Sequence, residues 1–266
     1  MHVRAISLAS GSSGNALLVQ AGETNVLIDA GVTARRIVFE LKRLGLAPED
    51  LDALFLTHEH GDHVGAAGAL SRRHHVTVVA NEQTLDHAGL GSVESHVQPT
   101  GTTLDVGDLA VTSFPLPHDG IEPVGYLLEH RDCKILVATD LGYAPASINE
   151  YVHACDLIVL ESNHDLNRLV HGPYSSALKS RIIGYTGHLS NEQCAECVVA
   201  CASGRPQWLW LAHLSEVNNS PRRALKAIKQ RLRDAGITSV QVGVALRDKR
   251  SVVWGSSECW VQPRLL

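Results

Sequence analysis

The stretch Thr57-His58-Glu59-His60-Gly61-Asp62-His63 places three histidines and an aspartate within six residues. It follows the apolar run Leu54-Phe55-Leu56, which is typical of a buried strand. A loop at the end of a strand is a rigid support for metal ligands. So many ionisable side chains would be costly to bury together without a cation to bind. The stretch therefore predicts a metal centre, and a His-rich surface loop is the alternative.

Three other apolar runs lead into further candidate ligands. Residues 109–114 lead through a Pro-Leu-Pro turn to His118, residues 134–139 to Asp140, and residues 208–212 to His213. Each run is short and rich in β-formers, so each is predicted to be a strand. A single histidine after a strand is usually a turn residue. Four such strand ends in one chain instead indicate that the strands converge on a common site.

These motifs resemble the metallo-β-lactamase fold superfamily, in which HxHxDH is followed by a lone His, a lone Asp and a C-terminal His. HxHxDH alone indicates only the superfamily. Further motifs resemble the YycJ/WalJ family of metal-dependent exonucleases within that fold, and the similarity spans residues 7–219. These more specific motifs lie at residues 7–15, 139–143, 161–165, 187–192 and 212–215. The chain departs from the family at Gly61, where Ser is common, but this position carries no ligand.

The resemblance implies an α/β fold, a four-layer αββα sandwich, and strands flanked by helices in both halves suit it. The predicted helices are 34–44, 65–73, 145–153, 175–185, 191–202 and 221–235. The predicted strands are 5–8, 16–20, 26–29, 51–57, 76–80, 157–160, 208–212 and 240–244, with mostly strand from about 104 to 139. Because no linker or repeat interrupts the chain, residues 1–266 are expected to form a single hydrolase domain. The segment between Asp140 and His213 is too short for the inserted domain of β-CASP nucleases.

The composition is that of an ordinary globular protein, with 44% hydrophobic and 19% charged residues among 266. No apolar run approaches the ~20 residues needed to cross a membrane. The N-terminus leads directly into a predicted strand, without the apolar region of a secretory signal. We therefore expect a cytoplasmic protein with no membrane partner, which argues against an exported β-lactamase.

The six cysteines are expected to be reduced thiols in a cytoplasmic protein. They are Cys133, Cys155, Cys194, Cys197, Cys201 and Cys259. The Cys-x-x-Cys pattern at 194–197 can bind zinc. However, a capping box at Ser190 predicts a helix that places Cys194, Cys197 and Cys201 on one apolar face. Because free cysteine packs as a small hydrophobe, we favour core packing over a second metal site.

The family resemblance implies two divalent ions and assigns their ligands. His58, His60 and His118 would bind the first ion, Asp62, His63 and His213 the second, and Asp140 would bridge them. Such a pair can hold both the attacking and the leaving oxygen of a hydrolysis. The imidazole-rich ligand set suits zinc, and manganese is compatible with the two aspartates. Asp62 also receives a catalytic role, because its free oxygen can orient the attacking water or take its proton.

Two of these residues narrow the class within the superfamily. Asp140 stands where common zinc β-lactamases place a Cys, whereas hydrolases of phosphodiesters and thioesters use a bridging Asp. His60 stands where flavodiiron oxidoreductases of this fold have Glu, which argues against that class.

His188 and Glu161 are candidates for protonating the leaving group. In the tRNA 3′-processing branch of the fold, a similarly placed His and Glu protonate or stabilise the leaving oxygen, and a His held by a carboxylate suits that task. The alternative is that His188 only precedes a helix cap at Ser190. Two roles remain open for His164, which are a contact with phosphate and a hydrogen bond within its own loop. Residues 10–15 are a turn by pattern, and only the resemblance suggests that they border the active site.

The choice of substrate depends mainly on the family. The net charge of −5 is the wrong sign for a general nucleic-acid binder, although two divalent ions would make the cleft locally positive. Four basic residues on the last predicted helix form either a solvated face or a phosphate track: Arg222, Lys226, Lys229 and Arg233. An aromatic content of 5% argues against a base-stacking surface.

We therefore expect a dinuclear metal-dependent phosphodiesterase that acts on nucleic acid, and we favour a 5′→3′ DNA exonuclease with a role in DNA repair. A small-molecule cyclic or nucleotide phosphodiesterase is the first alternative. A thioesterase of the glyoxalase II kind is disfavoured by Glu161 and His188. A non-catalytic metal-bound regulatory protein is the alternative outside the enzymes.

Overall fold

Two β-sheets lie face to face and carry helices on both outer sides. The structure, a computed structural model, describes residues 2–256 and the backbone of residues 258–261. The strands are β1 Val3–Ala9, β2 Ala16–Ala21, β3 Thr24–Ile28, β4 Ala53–Phe55, β5 Val78–Ala80, β6 Ser95–Val97, β7 Thr103–Val106, β8 Leu109–Pro115, β9 Val124–His130, β10 Cys133–Ala138, β11 Leu157–Glu161, β12 Gln207–Ala212, β13 Val240–Val244, β14 Val253–Gly255 and β15 Glu258–Val261. The helices are α1 Ala34–Arg43, α2 Gly61–Val64, α3 Ala67–His74, α4 Glu82–His87, α5 Ala146–Ala154, α6 Leu166–His171, α7 Ser176–Ile183, α8 Asn191–Cys201 and α9 Pro221–Asp234, with a 3₁₀ turn at Pro48–Asp50.

Three apolar layers hold these elements together. Between the sheets, Phe55 of the first sheet meets Tyr126 of the second, with ring centroids 5.4 Å apart. On the outer side of the first sheet, α1 and α3 bury residues such as Ile37 and Leu70. On the outer side of the second sheet, α5, α8 and α9 bury residues such as Ile228. The predicted α/β class and its four-layer αββα arrangement are confirmed.

The strand directions bring many loops to one edge of the sandwich. The second sheet has the order β13-β12-β11-β10-β9-β8-β7, in which β10, β11, β12 and β13 are parallel. Strand β9 is antiparallel to both β8 and β10, so β8 runs in the same direction as β10. In the first sheet, of order β15-β14-β1-β2-β3-β4-β5-β6, strands β3 and β4 are also parallel. Ligands of such sheets bind beyond the carboxyl ends of the strands.

The sequence predicts the long elements well and misses the short ones. Helix α2 is a single turn inside the HxHxDH loop, and its last two residues, His63 and Val64, are buried. Strand β4 is shorter than predicted, because the chain leaves the sheet after Phe55 to enter that loop. Helix α7 ends at Ile183, since Gly184 takes an extended conformation. No helix in the described part of the chain combines the length and apolarity that a membrane span requires.

The three cysteines of α8 lie in the core, as predicted. The Ser190 side chain caps the helix by accepting a hydrogen bond from the Gln193 backbone, and the Gln193 side-chain oxygen accepts one from the Ser190 backbone N–H. The side chains of Cys194, Cys197 and Cys201 join the apolar layer between the second sheet and its helices. Burial raises the pKa of these thiols, to about 12 for Cys197. Five of the six cysteines are free, and the side chain of Cys259 falls outside the described residues.

The α8 thiols should resist alkylation in the folded protein and should not contribute to metal content. Iodoacetamide at pH 8 is expected to leave Cys194 and Cys197 unlabelled until denaturant is added, as read by mass spectrometry. Unfolded thiols titrate near 8.5. The stability linked to the raised pKa of Cys197 is therefore present below that pH and is lost as pH rises toward 12.

Metal content should be unchanged in Cys197→Ala and reduced in His63→Ala. Equal metal loss in both variants would contradict core packing of the cysteines.

Gly31 permits the close contact that seats the HxHxDH loop on the first sheet. A Cβ added at Gly31 would lie 1.6 Å from the backbone oxygen of Asp62, whereas one added at Gly61 would meet nothing within 4 Å. We expect Gly31→Ala to lower the free energy of unfolding by more than about 3 kcal/mol, in the range reserved for severe core defects. Gly61→Ala is the matched control and should melt within a few degrees of the wild type. Equal melting temperatures for the two variants would contradict this account.

Candidate metal centre

All seven predicted metal ligands lie at the edge where the strands end. His58, His60, Asp62 and His63 follow β4, His118 follows β8, Asp140 follows β10 and His213 follows β12. Potential ligand atoms within 4.8 Å of one another form four overlapping groups among the described residues, and two of these groups match the expected sets. One is His58, His60 and His118, and the other is Asp62, His63 and His213.

In the first group, His58 and His118 present their ring Nε2 atoms because other bonds occupy Nδ1. His118 Nδ1 lies 3.2 Å from the carbonyl oxygen of Gly187, which can only accept, so Nε2 of the neutral ring carries the lone pair. His58 Nδ1 lies 2.9 Å from Thr57 Oγ1. Burial lowers the pKa of His58 well below its usual value, so its ring is neutral. These are the conditions in which imidazole binds a metal.

Buried carboxylates fix the second group in the same way. His63 Nδ1 lies 2.7 Å from Asp29 Oδ2, and His213 Nδ1 lies 2.7 Å from Glu161 Oε1. Both rings therefore turn Nε2 away from the carboxylate and toward the cleft. The Nε2 atoms lie 3.7 and 3.4 Å from the same oxygen, Oδ2 of Asp62. The three potential metal-ligand atoms therefore lie close enough together to bind one ion.

Asp140 lies between the two groups. Its Oδ2 is 2.9 Å from His63 Nε2, and its Oδ1 is 3.8 Å from His118 Nε2. The residue is 2% exposed and has a left-handed backbone with φ of 62°. Asp29 and His213 share this conformation, which is uncommon outside glycine and asparagine-like residues. Strained backbone is concentrated where side chains must be held for function.

Two buried atoms of the candidate ligands lack the partners that burial normally demands. Within the described residues, His58 Nε2 and Asp140 Oδ2 make no hydrogen bond, although Oδ2 is close to His63 Nε2. Unsatisfied buried polar atoms are costly, and a cation bound between them would remove the cost. The five imidazoles and two carboxylates are ligands that zinc and similar divalent ions accept. The residues present therefore fit a divalent metal centre.

Glu161 connects several parts of this edge. Its side chain is fully buried at the end of β11, and Oε2 accepts hydrogen bonds from the backbone N–H groups of Leu141 and Leu189. Oε1 lies 2.9 Å from His188 Nδ1 and also contacts His213. Burial opposes its charge, but His188 and the two imidazole hydrogen bonds prevail and lower the pKa of Glu161 to about 2. Glu161 is therefore an anion that orients both His188 and His213.

His188 is brought to the same edge by the loop between α7 and α8. Burial lowers its pKa, but the charges of Glu161 and Asp140 outweigh burial and raise the pKa to about 11. Its Nδ1 faces these carboxylates, so Nε2 is directed away from them. Asp62 remains ionised: burial opposes its charge, and His213 and His63 lower its pKa below the usual value.

Sequence reasoning missed two acidic residues of the site and left the N-terminal loop uncertain. Asp29 follows β3 just as the predicted ligands follow their strands, so the same signal could have found it. Asp119, beside His118, places Oδ1 3.2 Å from His118 Nε2 and pairs with Arg181. The loop at residues 10–15 does border the site. Its Asn15 Nδ2 lies 3.1 Å from His63 Nε2, and its Ser10 Oγ accepts a hydrogen bond from the His213 backbone.

His164 takes a position near the site without joining a ligand group. It is buried, and burial lowers its pKa to about 4. Its backbone oxygen accepts a hydrogen bond from Asn191. Among the described residues, the ligand groups contain no histidine beyond the predicted set and His188.

Comparison with known proteins gives a consistent family. A family model described as the metallo-β-lactamase superfamily matches residues 9–183. The chain is 35% identical to Exodeoxyribonuclease WalJ of Streptococcus pneumoniae serotype 2 over 237 residues, which is 86% of this chain and 88% of that protein. It is 33% identical to Exodeoxyribonuclease YycJ of Bacillus anthracis over 235 residues, 86% of this chain and 89% of that protein.

Solved structures support the fold. The metallo-β-lactamase fold protein YhfI from Bacillus subtilis superposes with a TM-score of 0.71 over 96% of this chain and 99% of that one. The sequences are only 16% identical, so this similarity concerns the fold alone.

Asp29→Asn tests whether the carboxylate behind His63 supports metal binding. An amide cannot stabilise the Nδ1–H tautomer as a carboxylate does, so we expect divalent metal affinity to fall about 10–100-fold. The measurement is competition for zinc or manganese with a chelating dye. Asp86→Asn, an exposed change on α4, is the control and should bind metal as the wild type does. Undiminished affinity in a folded Asp29→Asn protein would show that the contact is dispensable.

Proposed function

Because the chain belongs to the metallo-β-lactamase superfamily and is a metal-dependent hydrolase, we propose that it hydrolyses DNA phosphodiesters from an end. The relatives that share a third of its sequence along most of its length are named exodeoxyribonucleases. The predicted YycJ/WalJ family is thereby confirmed. We propose 5′→3′ polarity and a role in DNA repair, as the family resemblance implies.

The observation that carries the proposal is the Glu161–His188 pair beside the ligand groups. A phosphodiester needs a proton for its departing sugar oxygen, and a histidine oriented by a carboxylate can supply one. Glu161 holds His188 at 2.9 Å through Nδ1, which turns Nε2 toward the cleft. A thioester hydrolase has no comparable need, because a thiolate leaves more easily. The pair therefore favours phosphodiester chemistry.

We propose that two ions are bound, one by His58, His60 and His118 and one by Asp62, His63 and His213, with Asp140 between them. The ions, zinc or manganese, supply charge to the phosphate and acidify the attacking water. Three contacts support the ligand sets: Asp29 with His63, Glu161 with His213 and Gly187 with His118.

The remaining steps are assigned to this chain's own side chains. Asp62 is partly exposed and ionised, so it can orient the attacking water and accept its proton. His188 then donates a proton from Nε2 to the leaving oxygen. The pKa of His188, about 11 in the protein alone, keeps its ring protonated, and cations held by the proposed ligand sets would favour release of that proton.

The basic residues of α9 take no direct part in this proposal. Ala224, Ile228 and Leu232 are buried, while Arg222, Lys226, Lys229 and Arg233 are exposed on the other face. Lys229 and Arg233 line a groove with Trp208 and Gln241, at the end of the strands that is opposite to His213. The helix begins near the metal edge and runs away from it, so most of its charge lies far from the cleft.

His188→Ala tests the proposed leaving-group role. We expect hydrolysis of end-labelled linear duplex DNA, with manganese or zinc added, to fall by about 10²–10⁴-fold. Metal content should be unchanged, because His188 is outside both proposed ligand sets. Labels at the 5′ end and at the 3′ end, compared in parallel, report the polarity of digestion.

Two variants control this experiment. Asp62→Ala/His63→Ala removes two of the three ligands proposed for the second ion, so it should lose that ion and all activity, and any digestion that remains reveals a contaminating nuclease. His87→Ala, an exposed change on α4, should be fully active. The nuclease proposal would be contradicted if the wild type, with metal bound, digested DNA no faster than the Asp62/His63 variant. Small phosphodiesters would then be the substrates to test.

A further inference from the structure

Two tyrosines are exposed beside the candidate metal centre. Tyr185 is 80% exposed and Tyr143 is 40% exposed, and their ring centroids lie 4.9 Å apart at an interplanar angle of 60°. Tyr126, by contrast, is buried between the sheets. The sequence argued against a base-stacking surface because aromatic residues make up only 5% of the chain. The fold nevertheless brings two of them together at the surface.

The backbone ties this pair directly to the metal edge. Gly142 packs so tightly against Tyr185 that an added Cβ would lie 2.2 Å from the Tyr185 carbonyl oxygen. Gly142 also donates a hydrogen bond to the Pro117 carbonyl, one residue before His118. Tyr143 is three residues after Asp140, and Tyr185 is three residues before His188. Three residues span at most about 10 Å, so both tyrosines lie within a few nucleotide steps of the proposed scissile phosphate.

A cationic side chain and a cavity lie on the same segment. Arg181 is one turn before Tyr185 and is held by Asp119, whose Oδ2 is 2.6 Å from Arg181 Nε. Arg181 and His188 line a cavity of about 190 Å³ together with Tyr174 and Asn163. Guanidinium is suited to phosphate, and aromatic faces are suited to nucleobases. Residues 181–188 thus bring a phosphate contact, a stacking surface and the proposed proton donor onto one short stretch.

We propose that Tyr143 and Tyr185 form a platform on which unpaired bases at the DNA end stack, while Arg181 contacts the adjoining phosphate. This assignment rests on the proposed function of the same site. Stacking on aromatic side chains is tolerant of sequence, which suits an enzyme that must process any end. Exposed aromatic rings with no core role are explained if their partner is the substrate.

The test is equilibrium binding of a single-stranded oligonucleotide to the metal-loaded protein. The probe carries fluorescein at its 3′ end and phosphorothioate linkages that resist hydrolysis, and binding is read by anisotropy. We expect Tyr143→Ala/Tyr185→Ala to bind about 10-fold more weakly, which corresponds to about 1.4 kcal/mol. Tyr143→Phe/Tyr185→Phe should bind within about twofold of the wild type, since the ring faces that stack are kept.

A second probe isolates stacking from other contacts. An oligonucleotide with abasic residues at its 5′ end should bind the wild type about 10-fold more weakly than the normal one, and the double alanine variant should not distinguish the two probes. Phe39→Ala, on α1, removes another exposed ring and should leave binding unchanged. Melting curves of all variants establish that they are folded.

Several outcomes would overturn the platform. The first is that the wild type and the double alanine variant bind the oligonucleotide equally well. The second is that the double alanine variant still binds the abasic oligonucleotide more weakly than the normal one. The third is that the wild type does not bind the oligonucleotide. A change of oligomeric state in the variant with unchanged DNA affinity would assign the pair to a protein interface instead. If the wild type binds with the expected base dependence but does not digest unmodified DNA, the platform stands and the nuclease proposal fails.

Discussion

The hydrogen bonds from two buried carboxylates to imidazole Nδ1 atoms are the constraint on which this site depends. Asp29 holds His63 and Glu161 holds His213, each at 2.7 Å. In each ring, the bond at Nδ1 directs Nε2 to the cleft and makes it the atom that can bind a cation. Glu161 also orients His188 and fixes the Leu141 and Leu189 backbones, so one carboxylate connects His213, His188 and two loops. The energetic cost of burying these anions is offset only when their partners are all present.

The sandwich makes this arrangement possible by bringing the ends of separate strands to one edge. Strands β3 and β4 of the first sheet end beside β8, β10, β11 and β12 of the second. The interface between the sheets is apolar and supports the edge at which the candidate ligands lie. The backbone is left-handed at Asp29, Asp140 and His213, and it turns sharply at each of these residues as the preceding strand ends. The fold thus supplies position, and the buried carboxylates supply orientation.

Much of the fold and of the candidate site could be predicted from the sequence, and the features that were missed have physical reasons. The long elements, the sandwich and the seven candidate ligands carried strong local signals, because apolar runs ended in ligand residues. Asp29 gave the same signal but lacked a recognised motif. The contact of Glu161 with His213 links residues far apart in the chain, which no local pattern can reveal. The pairing of Tyr143 with Tyr185 likewise depends on the close packing at Gly142, so composition alone could not reveal it.

Anomalous diffraction from crystals grown with manganese would test the proposal that this edge binds two divalent ions with Asp140 between them. We expect two anomalous peaks about 3.5–4 Å apart. One should lie among His58, His60 and His118, the other among Asp62, His63 and His213, with Asp140 in contact with both. A single peak, or a second peak that lies away from Asp62, His63 and His213, would contradict the dinuclear site.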